Sequence, residues 1–295
     1  MAAPLELDVW SGEDVRIADV DSALARLRAQ ASLNAPSMRT SVMTHLAWVP
    51  EEWLEPARDA LAGMAERHPS RTVLLIPEPD APHNRVDATV SLACYDVPGS
   101  DRGVCSEVIE LRLKRARAKA PASIVLPLLI SDLPVFLRWR GMPPWRSPEL
   151  EQLVDVVDRL VVDSTEWDEL PRSYAHLAVL FDRVAVSDIA WARTSRWRRL
   201  LASLWPEIAD VGTVRVTGTA PQALLICGWL RSRLGRDDID AVHVEAERLE
   251  GIDLDGKPAP FPPGDPPLPS DVLSEELDRF TRDRIYEAAV RAVAR

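Results

Sequence analysis

The sequence predicts an α/β fold of two mixed α/β domains, the first built on β-α-β units and the second helix-rich with a small sheet. Three observations carry that prediction. Up to about residue 165, short β-branched or apolar runs alternate with helical patterns, as in parallel strands joined by helical crossovers. Beyond that point longer helical patterns dominate, with only brief strand-like runs between them. The chain is also long enough for two cores, with 295 residues of which 46% are apolar. The expected organisation is a helical lead over 1–36, an α/β domain over 37–165, and a second α/β domain over 166–295.

In the first domain, Leu24 and Leu27 at helical spacing predict a helix over 19–30, which the Asn34-Ala35-Pro36-Ser37 cluster ends. Residues 39–49 are rich in β-branched and apolar side chains and read as a strand. Pro50 opens a helix running to Arg67, with Glu51 and Glu52 in the first turn, where the helix dipole favours acids. His68-Pro69 stops it, and 72–76 follows as a buried strand. The three elements form a β-α-β unit, most simply a right-handed parallel crossover. Strands over 88–95 and 105–113 flank the turn residues Pro98-Gly99-Ser100-Asp101, which predicts an antiparallel pair. A basic helix-prone segment, 114–120, leads through 123–126 to a strand over 135–139. Ser147 caps a helix with Pro148 at its first position and Leu150, Leu153, Val154 and Val157 as its apolar stripe. A strand over 160–162, ending at Asp163-Ser164, completes a second β-α-β pattern.

In the second domain, helices are expected over 170–184 and 187–205. Within the latter, Trp197, Leu200, Leu201, Leu204 and Trp205 recur at the spacing of a core-facing stripe. A strand over 213–217 precedes a helix over 221–234 that is apolar all round from 223 to 230, hence buried on more than one side, and Gly235 is placed to stop it. A strand over 241–247 follows, then a hairpin turn at Asp255-Gly256 behind 252–254. Residues 258–269 contain seven prolines and read as an extended connector. The closing helices carry Leu273, Leu277 and Phe280, then Ile285, Ala289 and Val293.

The formal net charge of −11, from 35 basic and 46 acidic side chains, works against non-specific binding to nucleic acid or to an anionic membrane. No segment approaches the ~20 apolar residues of a membrane-spanning helix. Glu6, Asp8, Glu13 and Asp14 occupy positions where a secretory leader carries positive charge and then an apolar run. Three cysteines point to a reducing compartment. These features together predict a soluble cytoplasmic protein.

Signatures of common chemistry are missing from the sequence. No two glycines are separated by a single residue, so a dinucleotide fingerprint and a kinase glycine loop are both absent. There is no phosphate loop followed by Lys-Ser/Thr and no Gly-x-Ser-x-Gly elbow. The five histidines are scattered without metal-ligand spacing. No cofactor and no metal is therefore expected. Asp163 and Ser164, at a carboxyl strand end, are pocket candidates for an α/β sheet, against the plainer reading of turn capping. Cys94 and Cys105 sit on consecutive strands and are a weak redox candidate; the preferred reading makes each a small buried hydrophobe. The basic run Lys114-Arg115, Arg117, Lys119 reads as the solvated face of a short helix.

The segment 188–199 concentrates two tryptophans and four arginines, the side chains most enriched at the energetic centres of protein interfaces and also suited to gripping an anion. Its spacing places Trp197 on the core stripe. Asp188 and Trp191, one turn apart, share a different face, while Arg193, Arg196, Arg198 and Arg199 project elsewhere; a surface anchor for a partner and a plain solvated face paired with nearby acids are equally open readings of this segment.

Three blocks resemble the OpcA family, the glucose-6-phosphate dehydrogenase assembly proteins of cyanobacteria and actinobacteria. They are His68-Pro69-Ser70-Arg71-Thr72-Val73-Leu74, the stretch 123–135 with Arg138-Trp139-Arg140-Gly141 behind it, and Asp188-Ile189-Ala190-Trp191-Ala192-Arg193 followed by Trp197-Arg198. Glu275-Glu276-Leu277 and Ile285-Tyr286 also fit the family. The sequence departs from it at Leu137-Arg138-Trp139, where two adjacent tryptophans are usual, and at Ser131, where proline is usual. The resemblance carries no catalytic residue. It implies a non-catalytic partner that assembles or allosterically activates glucose-6-phosphate dehydrogenase in the pentose phosphate pathway. The expected contact residues are Asp188, Trp191, Arg193, Arg196, Arg138, Trp139, Asp163 and Ser164. The alternative is an enzyme or sensor of α/β fold with a sugar-phosphate ligand or effector, the arginines holding the phosphate and Asp163 near the sugar.

Overall fold

The computed structural model describes residues 5–6, 9–34, 37–38, 41–64, 70–96, 103–264, 269–279 and 281–295. The chain divides into two units, Met1–Leu160 and Val161–Arg295. The division falls inside a strand, ahead of the boundary expected after residue 165.

The first unit contains β1 (Leu5–Glu6), β2 (Trp10–Gly12), α1 (Ile17–Asn34), β3 (Ser37–Met38), β4 (Thr44–Trp48) and α2 (Leu54–Met64). It continues with β5 (Arg71–Glu78), β6 (Val86–Asp96), β7 (Gly103–Lys114), α3 (Pro121–Val125), β8 (Val135–Trp139), α4 (Pro148–Val154) and the start of β9 (Arg159–Val162). Strand order is β1-β6-β7-β5-β4-β8-β9, with β2 also on β6 and β3 on β7. The neighbours β7-β5, β5-β4 and β4-β8 run parallel, and β6-β7 is the expected antiparallel pair. Parallel strands covered on both faces need apolar side chains at successive positions. Accordingly, every residue of β4 and β8 is buried. Leu54 and Ala57 of α2 bury against Ala47, Val49, Leu74 and Ile76, with Leu61 of the same stripe packed alongside. In α1, Val20, Leu24, Leu27 and Ala31 recur at helical spacing and are all buried.

Several boundaries move. The strand expected from residue 39 begins at Thr44, and a 3₁₀ turn, Glu51–Trp53, precedes α2. The basic segment forms a second 3₁₀ turn, Arg115–Lys119, and 123–126 falls largely within α3. The His68-Pro69 stop and the 98–101 turn lie outside the described residues, as does Phe280.

The second unit contains the end of β9, α5 (Arg172–Leu180), β10 (Ala185–Asp188) beside β9, α6 (Ile189–Arg193) and α7 (Ser195–Ser203). After these come β11 (Thr213–Gly218), α8 (Ala220–Leu234), β12 (Asp240–Glu245), β13 (Gly251–Leu254), β14 (Lys257–Pro258), α9 (Pro269–Leu277) and α10 (Arg284–Val293). The small sheet has the order β12-β11-β13-β14, parallel at β11-β12 and antiparallel at the other two pairings. Asp255 and Gly256, at φ 49° and 78°, make the expected β13-β14 turn. A Thr219-Gln222 capping box opens α8, and Gly235 closes it at φ 65°. α10 lies so close to α8 that a Cβ on Gly228 would sit 2.4 Å from the Ala289 carbonyl oxygen. Only glycine allows that approach.

The single helix expected over 187–205 is a correction. The chain is extended through Asp188, makes the single turn of α6, breaks at Thr194 and resumes as α7. Short polar side chains that bond nearby backbone compete with a continuous helix. Here Asp188 accepts from the Ala190 N–H at 2.9 Å, and Thr194 Oγ1 donates to the Trp191 carbonyl at 2.7 Å. Trp191 is 1% exposed, and Trp205, which lies beyond the end of α7 at Ser203, is 64% exposed.

Candidate functional site

The site is built around the end of β10. Asp188 is fully buried, and its carboxylate is the hub of a hydrogen-bond network. Oδ1 accepts from the backbone N–H groups of Ser164 at 3.1 Å and Ala190 at 2.9 Å. Oδ2 accepts from Ser164 Oγ at 2.7 Å and from the Tyr286 hydroxyl of α10 at 3.1 Å. Tyr174 of α5 extends the chain by donating to Ser164 Oγ at 2.9 Å. Burial pushes the Asp188 carboxyl up to about 6, and the charge of Asp163 adds to the rise, against the donors that favour the ionised form. The hydroxyls of Tyr174 and Tyr286 are raised well above the ordinary phenol value, first by burial and then by the Asp188 charge.

Trp191 provides a second tie to the same helix. Its Nε1–H donates to Asp283 Oδ2 at 2.9 Å, while Asp283 Oδ1 caps α10 by accepting from the N–H groups of Ile285 and Tyr286. The Trp191 and Tyr286 rings lie 5.7 Å apart, and the Arg198 guanidinium covers the indole at 3.4 Å from its centroid. Such a stacked, partly desolvated cation is attracted by the ring's negative face. The expected surface anchor is therefore corrected. Asp188 and Trp191 face the interior, where they fasten α10.

The remaining candidates separate into inner and outer sets. Asp163 accepts from the N–H and hydroxyl of Thr165, at 3.1 and 2.6 Å, and pairs with Arg193 at 3.1 Å. Asp163 is 4% exposed and Ser164 is fully buried, so these two cap a turn and feed the network instead of lining a pocket. Arg196 Nη2 donates to the carbonyls of Pro262 and Pro263 at 2.9 and 2.7 Å and also to that of Gly264, tying the proline-rich connector to α7. Arg199 is exposed, and its side chain has no hydrogen-bond or ion-pair partner among the described residues. Arg196, Arg199, Leu200 and Ser203 line one wall of an open cleft of about 450 Å³, with Pro262 and Pro263 opposite. Most of the arginines that a phosphate-binding reading would use are thus already engaged internally.

In the first unit, Trp139 stacks on Trp48 at 4.9 Å with planes 14° apart, and Arg138 donates to the Trp139 carbonyl. Both Arg138 and Trp139 are buried, so their expected place at a contact surface is corrected as well. Central strands of a covered sheet leave them no exposed face. Cys94 stands opposite Cys105 in the β6-β7 register. Cys105 is disulfide-bonded, which overturns its reading as a free apolar residue. Among the described residues, no group of His, Cys, Asp or Glu is gathered to hold a metal, and no helix is long and apolar enough to cross a membrane.

The sequence reading missed Glu107, Tyr174, Asp283 and the hub role of Tyr286. Glu107 had a visible signal, because it shares the alternating face of β7 with Ile109, Leu111 and Leu113, all fully buried. A carboxylate on an apolar face demands a cation. Among the described residues, Arg71 Nε lies at 2.8 Å and Arg28 Nε at 2.6 Å.

Comparison with known proteins gives this architecture a family. The N-terminal domain of the family described as a glucose-6-phosphate dehydrogenase subunit matches residues 61–179, and the C-terminal domain of the same description matches residues 184–259. The OxPP cycle protein OpcA of Synechococcus elongatus is 27% identical over 232 residues, covering 70% of this chain and 50% of that protein. Its counterpart from Nostoc punctiforme is 29% identical over 182 residues, covering 58% of this chain and 39% of that protein. The chain spans half or less of the length of these curated relatives. It belongs to the OpcA family.

Proposed function

We propose that the chain is a non-catalytic accessory protein that binds glucose-6-phosphate dehydrogenase in the cytoplasm and favours its active assembly. The observation that carries this reading is the match to two successive domains of the dehydrogenase-assembly family. The geometry supports it by dividing the arginine-tryptophan segment. Its inner residues are used for internal bonds, and the outer face of α7 presents Arg199 beside the connector that Arg196 holds. Guanidinium groups of this kind are frequent at interface hot spots. To activate the enzyme, the protein must bind its active state more tightly than the inactive one; a tenfold preference corresponds to about 1.4 kcal/mol.

The test is co-elution of the purified protein with its cognate dehydrogenase, together with dehydrogenase activity titrated against it. A complex and a saturable change in activity or oligomeric state are expected. No complex and unchanged kinetics would reject the proposal. Saturable binding of glucose 6-phosphate or 6-phosphogluconate by the isolated protein, with no effect on the dehydrogenase, would replace it with a metabolite sensor.

A further inference from the structure

We propose that β12 is an acceptor edge for strand addition by an extended basic segment of a protein partner. The inference rests on the reading above that the chain works by binding a protein, and it specifies a second surface and the chemistry that fits it.

β12 is the terminal strand of the small sheet and keeps unbroken parallel register with β11 along its whole length. The Asp240 N–H donates to the Gly212 carbonyl at 2.8 Å, and the Ala246 N–H to the Gly218 carbonyl at 3.0 Å. Strand alternation then turns the N–H and C=O groups of Ala241, His243 and Glu245 away from β11. No described strand pairs with them. Every residue of β12 except Val242 is exposed, and that one is half-buried. Register places Val242 beside Arg215, and Val244 falls on the same face two residues on, 37% exposed. An added strand would thus meet both unpaired backbone groups and a small apolar strip, which is how β-augmentation combines affinity with side-chain selection. Natural edges are commonly blunted by charged side chains, above all lysine, by proline or by a bulge. Of these β12 has only its acids, Asp240 and Glu245.

Charge selects the occupant. Asp238 and Glu250 are paired with Arg236 at 2.8 Å and Arg248 at 3.9 Å. Asp240, Glu245 and Glu247 have no arginine or lysine partner among the described residues, and Glu245 lies only near His243, at 3.5 Å. A second copy laid edge to edge would bring two such acidic strands together, and each chain already carries a net charge of −11. Like charges across a strand pair are destabilising. A segment with lysine or arginine alternating with apolar residues lays its apolar side on Val242 and Val244 and its cations on the face of Glu245.

The test uses the full chain, isotope-labelled, titrated with an octapeptide of alternating lysine and valine, and separately with its glutamate-valine counterpart. Saturable NMR shifts at the amides of Ala241, His243 and Glu245 are expected with the lysine peptide only. Ala241→Pro removes an outward N–H and no bond to β11, so the fold should persist while peptide affinity falls by about two- to tenfold. Should that variant misfold, exposed Glu245→Lys with Glu247→Lys should weaken the lysine peptide and admit the glutamate peptide. Absence of shifts at the three amides, or an equal response to both peptides, overturns the proposal. Because the peptide experiment contains no dehydrogenase, its failure is separate from failure of the function proposed above.

Discussion

Glu107 in the first unit and Asp188 in the second are buried to the same degree, at 3% and 0% exposure, yet they are stabilised by opposite means. Glu107 sits between two guanidinium groups. Burial pushes its carboxyl up, but the hydrogen bonds and charges of Arg28 and Arg71 outweigh it and hold the group below its ordinary range. Among the described residues Asp188 receives only neutral donors, and Asp163 is nearby, so burial wins and the carboxyl rises to about 6. A buried carboxylate therefore need not mark chemistry. Countercharge makes Glu107 an electrostatic lock. Neutral donors make Asp188 a hydrogen-bond hub whose protonation the fold tolerates.

The largest effect expected from this contrast is at Glu107. Replacing it with glutamine leaves buried Arg71 without its anion and should cost about 3–5 kcal/mol in urea unfolding. A cost below about 1 kcal/mol would remove the distinction between the two sites.

pH provides the next test, and the two carboxyls have opposite signs. Asp188 keeps its proton to higher pH when folded than when unfolded. Folding therefore takes up a proton between the ordinary value of 3.8 and about 6, and the Asp188 contribution to stability falls as pH rises through that window. The change is as large as about 3 kcal/mol. Glu107 contributes fully above its ordinary value of 4.5, and that contribution is lost as pH falls through its lower folded value. Subtracting the stability profile of Asp188→Asn from that of the wild type should isolate the first slope; parallel profiles would contradict it. Below the ordinary value of 3.8, where Asp188 is protonated in both states, the same substitution should have the smallest effect of these, within about 1 kcal/mol. Asparagine can still accept the Ser164 and Ala190 N–H groups, and the Ser164 and Tyr286 hydroxyls can turn to accept from its amide.

Much of the first unit was legible because parallel strands covered on both faces need apolar side chains at successive positions, and β4, β5 and β8 carry them at Leu46-Ala47-Trp48, Val73-Leu74-Leu75-Ile76 and Val135-Phe136-Leu137. The α8 cap and the Asp255-Gly256 turn were legible for local reasons, since each depends on residues a few positions apart. The Asp188 segment was found in the sequence but turned the wrong way round. Helical periodicity assumes an unbroken helix, and the side chains of Asp188 and Thr194 break this one. What holds Asp188 and Trp191 inside lies far along the chain, at Ser164, Asp283 and Tyr286, beyond the reach of any spacing rule. Glu107 was the avoidable omission, since its alternation with Ile109 and Leu111 was open to view. Cysteine usage alone argues against the disulfide at Cys105; its β6-β7 register with Cys94 is what favours it.

The central claim is that this segment is split into an interior pin and an outer contact. Dehydrogenase affinity and thermal stability measured side by side on Trp191→Ala and Arg199→Glu test it most directly. Trp191→Ala should lose about 3–5 kcal/mol of stability while its folded molecules bind with wild-type affinity. Arg199→Glu should melt as the wild type does and bind about tenfold more weakly. The reverse pattern, with Trp191→Ala stable but unable to bind and Arg199→Glu binding normally, would contradict the division.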